Sequence, residues 1–113
     1  MDISLKQIDH TTLVSVSGSM DALTAGEVAR FLSAQIDGGH TQLVADLSQV
    51  DFMSSAGLRA ILAALKQTRQ QGGDLRLAAA QSGVAKVLKM SGFTSILKFY
   101  ATVAEAVASF ELE

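Results

Sequence analysis

Apolar and polar residues alternate along ISLKQI (3–8), the two-residue period of a strand with one buried face. HTT then turns the chain into LVSVSG (13–18), a second strand and hairpin partner of the first, which Gly18 is expected to end. The period changes in TAGEVARFLSAQI (24–36), where Val28, Phe31, Leu32 and Ile36 share one helical face. Thr24 and Glu27 stand in the spacing of a capping box at its start. DGGH closes that helix, and TQLVADL (41–47) follows as a near-continuous apolar run, the pattern of a central strand covered on both sides. In GLRAILAALKQTRQQ, Leu58, Ile61, Leu62 and Leu65 follow the i, i+3, i+4, i+7 spacing of an amphipathic helix. After the Gly72–Gly73 stop, DLRLAAA alternates as a strand, SGVAKVLKMSG is a short helix closing at Gly92, and SILKFY is a last strand. TVAEAVASF is a last helix, with Thr102 and Glu105 in capping-box spacing.

The order is therefore β-β-α-β-α-β-α-β-α. Helices between successive strands imply parallel crossovers, and the opening hairpin adds an antiparallel edge. The expected fold is α/β, a single mixed sheet with packed helices, and the 113 residues suit one domain spanning 1–113.

Composition narrows the chemistry. The chain has no cysteine, which excludes disulfides, thiolate nucleophiles and zinc–thiolate sites. The net charge of −2, with basic residues scattered and no run of them, argues against a nucleic-acid surface. No apolar run approaches the ~20 residues of a membrane span, and MDISLKQIDH lacks the apolar segment of a signal peptide. A cytoplasmic protein is the expectation.

VDFMSSAGLRAIL (50–62) joins the central strand to the amphipathic helix and carries adjacent serines, Ser54 and Ser55. Either is placed to cap the helix, since a side-chain oxygen at that position accepts a backbone N–H. A catalytic serine is disfavoured. The G-x-S-x-G elbow is missing, and the only histidines, His10 and His40, belong at the far end of the strands, too distant to act as a base. A phosphorylated serine is the third reading. A helix N-terminus offers free N–H groups and a favourable dipole, and this helix has no Glu at its third position, where Gly57 or Leu58 stands. Gly57 also leaves room for another backbone to approach. Asp21 and Asp46 are expected at the C-terminal ends of parallel strands, where α/β sheets bind ligands. Two carboxylates and a hydroxyl could hold Mg²⁺, although turn capping and a solvated strand end explain both residues more simply.

Three segments, GSMDALTA, LVADLSQVDFMSSAGLRAIL and GGDLRLAAAQSGVAKVLKMSGF, together resemble the STAS domain, and more closely the bacterial anti-sigma factor antagonists. The resemblance implies that Ser55 is the phosphoacceptor, with Gly57 as the glycine of the motif, and that Asp21 matches the aspartate of the family's Gly-x-x-Asp turn. Ser54 stands where the best-known sporulation member has Asp. The resemblance further implies a non-enzymatic partner-switching protein without a cofactor of its own. Unphosphorylated, it would bind an anti-sigma factor that is also a serine kinase, over Asp21, Met53, Ser54, Ser55 and Gly57. Phosphorylated, it would let go, and a serine phosphatase would reset it. The alternative is an accessory STAS subunit of a transport or signalling complex, such as a lipid ABC system, that docks constitutively.

Overall fold

The computed structural model of the chain describes residues 1–92 and 95–111. Phe93, the last residue of the third motif segment, lies outside the described residues. The elements are β1 (Asp2–Ile8), β2 (Thr11–Met20), α1 (Ala25–Asp37), β3 (Gln42–Met53), α2 (Ser55–Gln70), β4 (Asp74–Ala78), α3 (Ser82–Met90), β5 (Lys98–Tyr100) and α4 (Val103–Glu111). They form one five-stranded sheet in the order β1-β2-β3-β4-β5, antiparallel between β1 and β2 and parallel elsewhere. The mixed sheet and the element order are those expected from the sequence.

Each crossover from β2 to β5 steps in the same direction across the sheet, and right-handed crossovers then place their helices on one face. The packing agrees. Val28, Leu32 and Ile36 of α1, Leu58, Ile61 and Leu65 of α2, and Val84 and Leu88 of α3 share one core with Leu43, Ala45 and Leu47 of β3. α4 returns over the opposite face, where Ala106, Val107 and Phe110 cover Val44 and Ala78.

Covering both faces buries all of β4, including Arg76, which is 1 % exposed. The polar positions of the alternating DLRLAAA, Asp74 and Arg76, hold a paired charge that is itself buried. Asp74 Oδ2 accepts from Arg76 Nε at 3.0 Å, Asp74 Oδ1 accepts from Arg69 Nε at 3.1 Å, and Lys98 Nζ lies 3.6 Å away. Arg76 Nη1 donates to Ser109 Oγ at 2.8 Å, and the guanidinium lies 3.9 Å over the Phe110 ring. The cluster thus ties α2, β4, β5 and α4 together. Burial pushes the Asp74 carboxyl up, but hydrogen bonds and charge from Arg76 and Arg69 outweigh that, so its pKa lies below the ordinary carboxylate value.

Several expected boundaries move. Gly18 does not end β2; the strand continues to Met20, with Gly18 at φ +108° passing the backbone of Met1. Asp46 does not close β3, which runs on to Met53 because the extension of β2 pairs with it through two bulges. β5 is shorter than SILKFY: Ser95 and Ile96 form a turn, and Leu97 is buried beside the core. The last helix keeps the expected cap, Thr102 Oγ1 accepting from the Glu105 amide at 3.1 Å.

A candidate phosphoacceptor site at the ends of β2 and β3

The long parallel pairing of β2 and β3 ends with Met20 opposite Met53, so the two chain exits leave the sheet side by side. From Met20 the chain enters the turn Asp21–Thr24; from Met53 it enters α2. The Ser54 amide donates to the Met20 carbonyl at 2.9 Å, holding the exits together. The approach is so close that a Cβ on Gly57 would stand 2.7 Å from the Met20 oxygen and 2.9 Å from Met20 Cβ. The space at Gly57 therefore admits the protein's own second strand.

The Asp21 turn is built from hydrogen bonds. Asp21 Oδ1 accepts from the amides of Leu23 at 2.9 Å and Thr24 at 3.2 Å, a side chain mimicking a backbone turn. Thr24 Oγ1 accepts from the Asp21 amide at 3.0 Å and donates to the Ser19 carbonyl at 2.7 Å. This engagement displaces the expected capping box: Thr24 precedes α1 but makes no side-chain cap hydrogen bond to it. Next to the turn, Ser19 Oγ donates to Asp51 Oδ1 at 2.9 Å.

The two serines play different parts. Ser54 is the N-cap of α2, with extended backbone and a side chain that accepts from the Gly57 amide at 3.4 Å. Ser55 is the first residue of the helix, exposed, and its hydroxyl makes no hydrogen bond to a described residue. No acidic side chain stands in the first turn of α2, so the positive end of the helix dipole is uncompensated at Ser55.

Of the five residues expected to meet a partner, Asp21 and Ser54 are half-buried and Ser55 is exposed. Met53, at 2 % exposure, and the buried Gly57 lie beneath the surface and shape it from below. Two further apolar side chains are exposed on the adjoining segments: Leu23, 93 % exposed on the Asp21 turn, and Phe52, 53 % exposed near the end of β3. An apolar residue among turn formers was the available signal for Leu23. For Phe52 the bulges interrupt the alternation that would have marked it.

Asp46 belongs to neither surface nor ion site. It pairs with Ser15, five strand residues or ~16 Å before Met20, and its Oδ1 accepts from the Ser48 amide at 3.0 Å within a bulge. It cannot share an ion with Asp21, and no group of three potential metal-ligating His, Asp or Glu occurs among the described residues. His40 Nδ1 lies 3.3 Å from Thr12 Oγ1 at the opposite end of the strands.

The STAS domain family model matches residues 2–106. The chain belongs to the STAS domain family. BtrV of Bordetella bronchiseptica, described as a candidate anti-sigma factor antagonist, is 34 % identical over 111 residues, covering 98 % of this chain and 96 % of that protein. The crystal structure of an anti-sigma factor antagonist from Mycobacterium paratuberculosis superimposes with a TM-score of 0.88 at 25 % identity, over 96 % of this chain and 92 % of that one. The anti-sigma factor antagonist SpoIIAA shares the fold, with TM-scores of 0.81 for its unphosphorylated form and 0.74 for its phosphorylated form. Both SpoIIAA matches are 21 % identical, the first covering 99 % of this chain and 98 % of that one, the second 96 % and 99 %. No helix among the described residues is long and apolar enough to cross a membrane.

Proposed function

We propose that this STAS protein is an anti-sigma factor antagonist that works by partner switching, with Ser55 as the phosphoacceptor. The observation that carries the reading is the contrast between the adjacent serines. Ser54 is committed to capping α2, whereas Ser55 presents an unengaged hydroxyl at an exposed helix N-terminus. The family relationship and a fold neighbour solved in both phosphorylation states support it.

In this reading the unphosphorylated surface, Leu23 and Phe52 around Asp21 and Ser55, docks on an anti-sigma factor that is itself a serine kinase. Ser55 Oγ attacks the γ-phosphorus of ATP held by that kinase. The O–P bond to serine forms as the bond to ADP breaks, and the serine proton passes to a base of the kinase. The product places about −1.5 to −2 charges at the centre of an interface already bearing Asp21 and Asp51. Repulsion and desolvation then separate the partners, and a phosphatase removes the phosphate. The chain acts as a binding protein and substrate, not as an enzyme.

Intact mass after incubation with the cognate kinase and ATP tests the acceptor. Wild type should gain one phosphate and Ser55→Ala none. Loss in Ser54→Ala with retention in Ser55→Ala would move the site by one residue.

A further inference from the structure

The charges of this chain are segregated. Arg59, Lys66, Arg69, Arg76, Lys86, Lys89 and Lys98 are seven of its nine Lys and Arg residues, and between Asp51 and Glu105 the only acidic residue is Asp74. Asp74 is buried and already faces Arg69, Arg76 and Lys98. The segment from α2 through β5 therefore carries a local excess of basic residues, although the whole chain has a net charge of −2.

Two of these residues, Lys66 and Arg69, border an apolar groove. Arg59, Leu62, Lys66 and Arg69 recur at i, i+3, i+7 and i+10, a single stripe along α2 about 15 Å long. Leu62, Leu65 and Ile96 line a groove of about 580 Å³ together with Lys66, Arg69 and Gln70. Its wall is fixed, because Arg69 Nη2 donates to the Ile96 carbonyl at 2.6 Å while Arg69 Nε holds Asp74. Ile96 remains 40 % exposed, and Arg59 and Lys66 are exposed and make no ion pair with a described residue. Lys86 and Lys89 project from the exposed side of α3 and add to the basic excess.

We infer that this groove is a second docking surface, separate from Ser55, for an acidic amphipathic helical segment of a protein partner. The apolar floor would receive residues spaced i, i+3, i+4 and i+7, and the cationic rim would meet carboxylates beside them. The cationic rim selects the charge of the occupant and steers its approach, so the interaction should weaken with salt.

A designed helix with Leu at those positions and Glu elsewhere is the probe, titrated into the full chain while amide NMR shifts are followed. Shifts should map to Arg59, Leu62, Lys66 and Ile96. Lys66→Glu and, separately, Ile96→Asp should each weaken binding about tenfold. Both positions are exposed, and a thermal melt checks that each variant folds. Absence of binding, equal binding of a helix with Lys in place of Glu, or shifts confined to Asp21–Leu58 would overturn the inference. So would binding of phosphatidylglycerol vesicles with no binding of the acidic helix, since that would make the surface a lipid contact. The assay uses no kinase and no phosphate, so its outcome is independent of the Ser55 reading.

Discussion

Gly57 packs directly against Met20: any side chain at position 57 would meet the Met20 carbonyl oxygen at 2.7 Å. The obstacle is backbone, fixed by its hydrogen bond from Ser54, and cannot rotate away. Gly57→Ala should therefore destabilise the protein by about 1–3 kcal/mol, as overpacking does in a fixed environment. A urea melt checks this. Unchanged stability would show that the ends of β2 and β3 separate freely.

Ser54→Ala removes the cap of α2 and should lower stability by about 1 kcal/mol while leaving one phosphate per chain after kinase treatment. Ser54→Asp should keep the stability, because a carboxylate accepts the same backbone hydrogen. The two melts, read beside the mass of each phosphorylated variant, separate capping from phosphate acceptance.

Asp21 serves its turn through two accepted amide hydrogen bonds, so Asp21→Ala should lose about 1 kcal/mol. Asp21→Asn keeps an acceptor oxygen and should melt close to wild type. If the charge of Asp21 is used in docking, Asp21→Asn should still bind the cognate anti-sigma factor about tenfold more weakly. Wild-type affinity in Asp21→Asn would reduce the residue to a turn former.

How far the sequence carried can be judged at these residues. The period change at residue 24 and the apolar run at 41–47 were sufficient for the mixed sheet, because tertiary packing in this chain agrees with local pattern. The end of β3 was not legible. Its last residues extend only because β2 continues beside them, and two bulges break the alternation there. Thr24 and Glu27 have capping-box spacing, yet the Thr24 hydroxyl is drawn back to Ser19 by the Asp21 turn, a competition spacing alone does not reveal. The burial of Arg76 was not legible in the alternation of β4, because α4, some thirty residues later, supplies the Ser109 and Phe110 that cover it. That a serine stands at the helix start was legible; that Ser54 is the cap and Ser55 the first helical residue needed the hydrogen bond of Ser54 to the Gly57 amide.

The Asp74 cluster gives a pH dependence. Its folded pKa is depressed, so its contribution is complete above the unfolded-state carboxylate value of about 3.9 and is lost as pH falls through the lower folded value. Asp74→Asn should flatten the fall of stability in that acidic window. At neutral pH it should cost about 3 kcal/mol, since the buried Arg76 loses its carboxylate. Urea melts from neutral pH down to about pH 3 test both. An unchanged acid slope in the variant would place the acid-sensitive groups elsewhere.

The most direct test of the switch is the affinity of the cognate anti-sigma factor for the protein with and without phosphate on Ser55, measured by calorimetry at one ionic strength. A single exposed phosphoserine at the start of α2 should remove ~3 kcal/mol of binding, a loss of more than 100-fold, without change in the far-ultraviolet circular dichroism of the protein. Equal affinities for the two forms would contradict partner switching at Ser55.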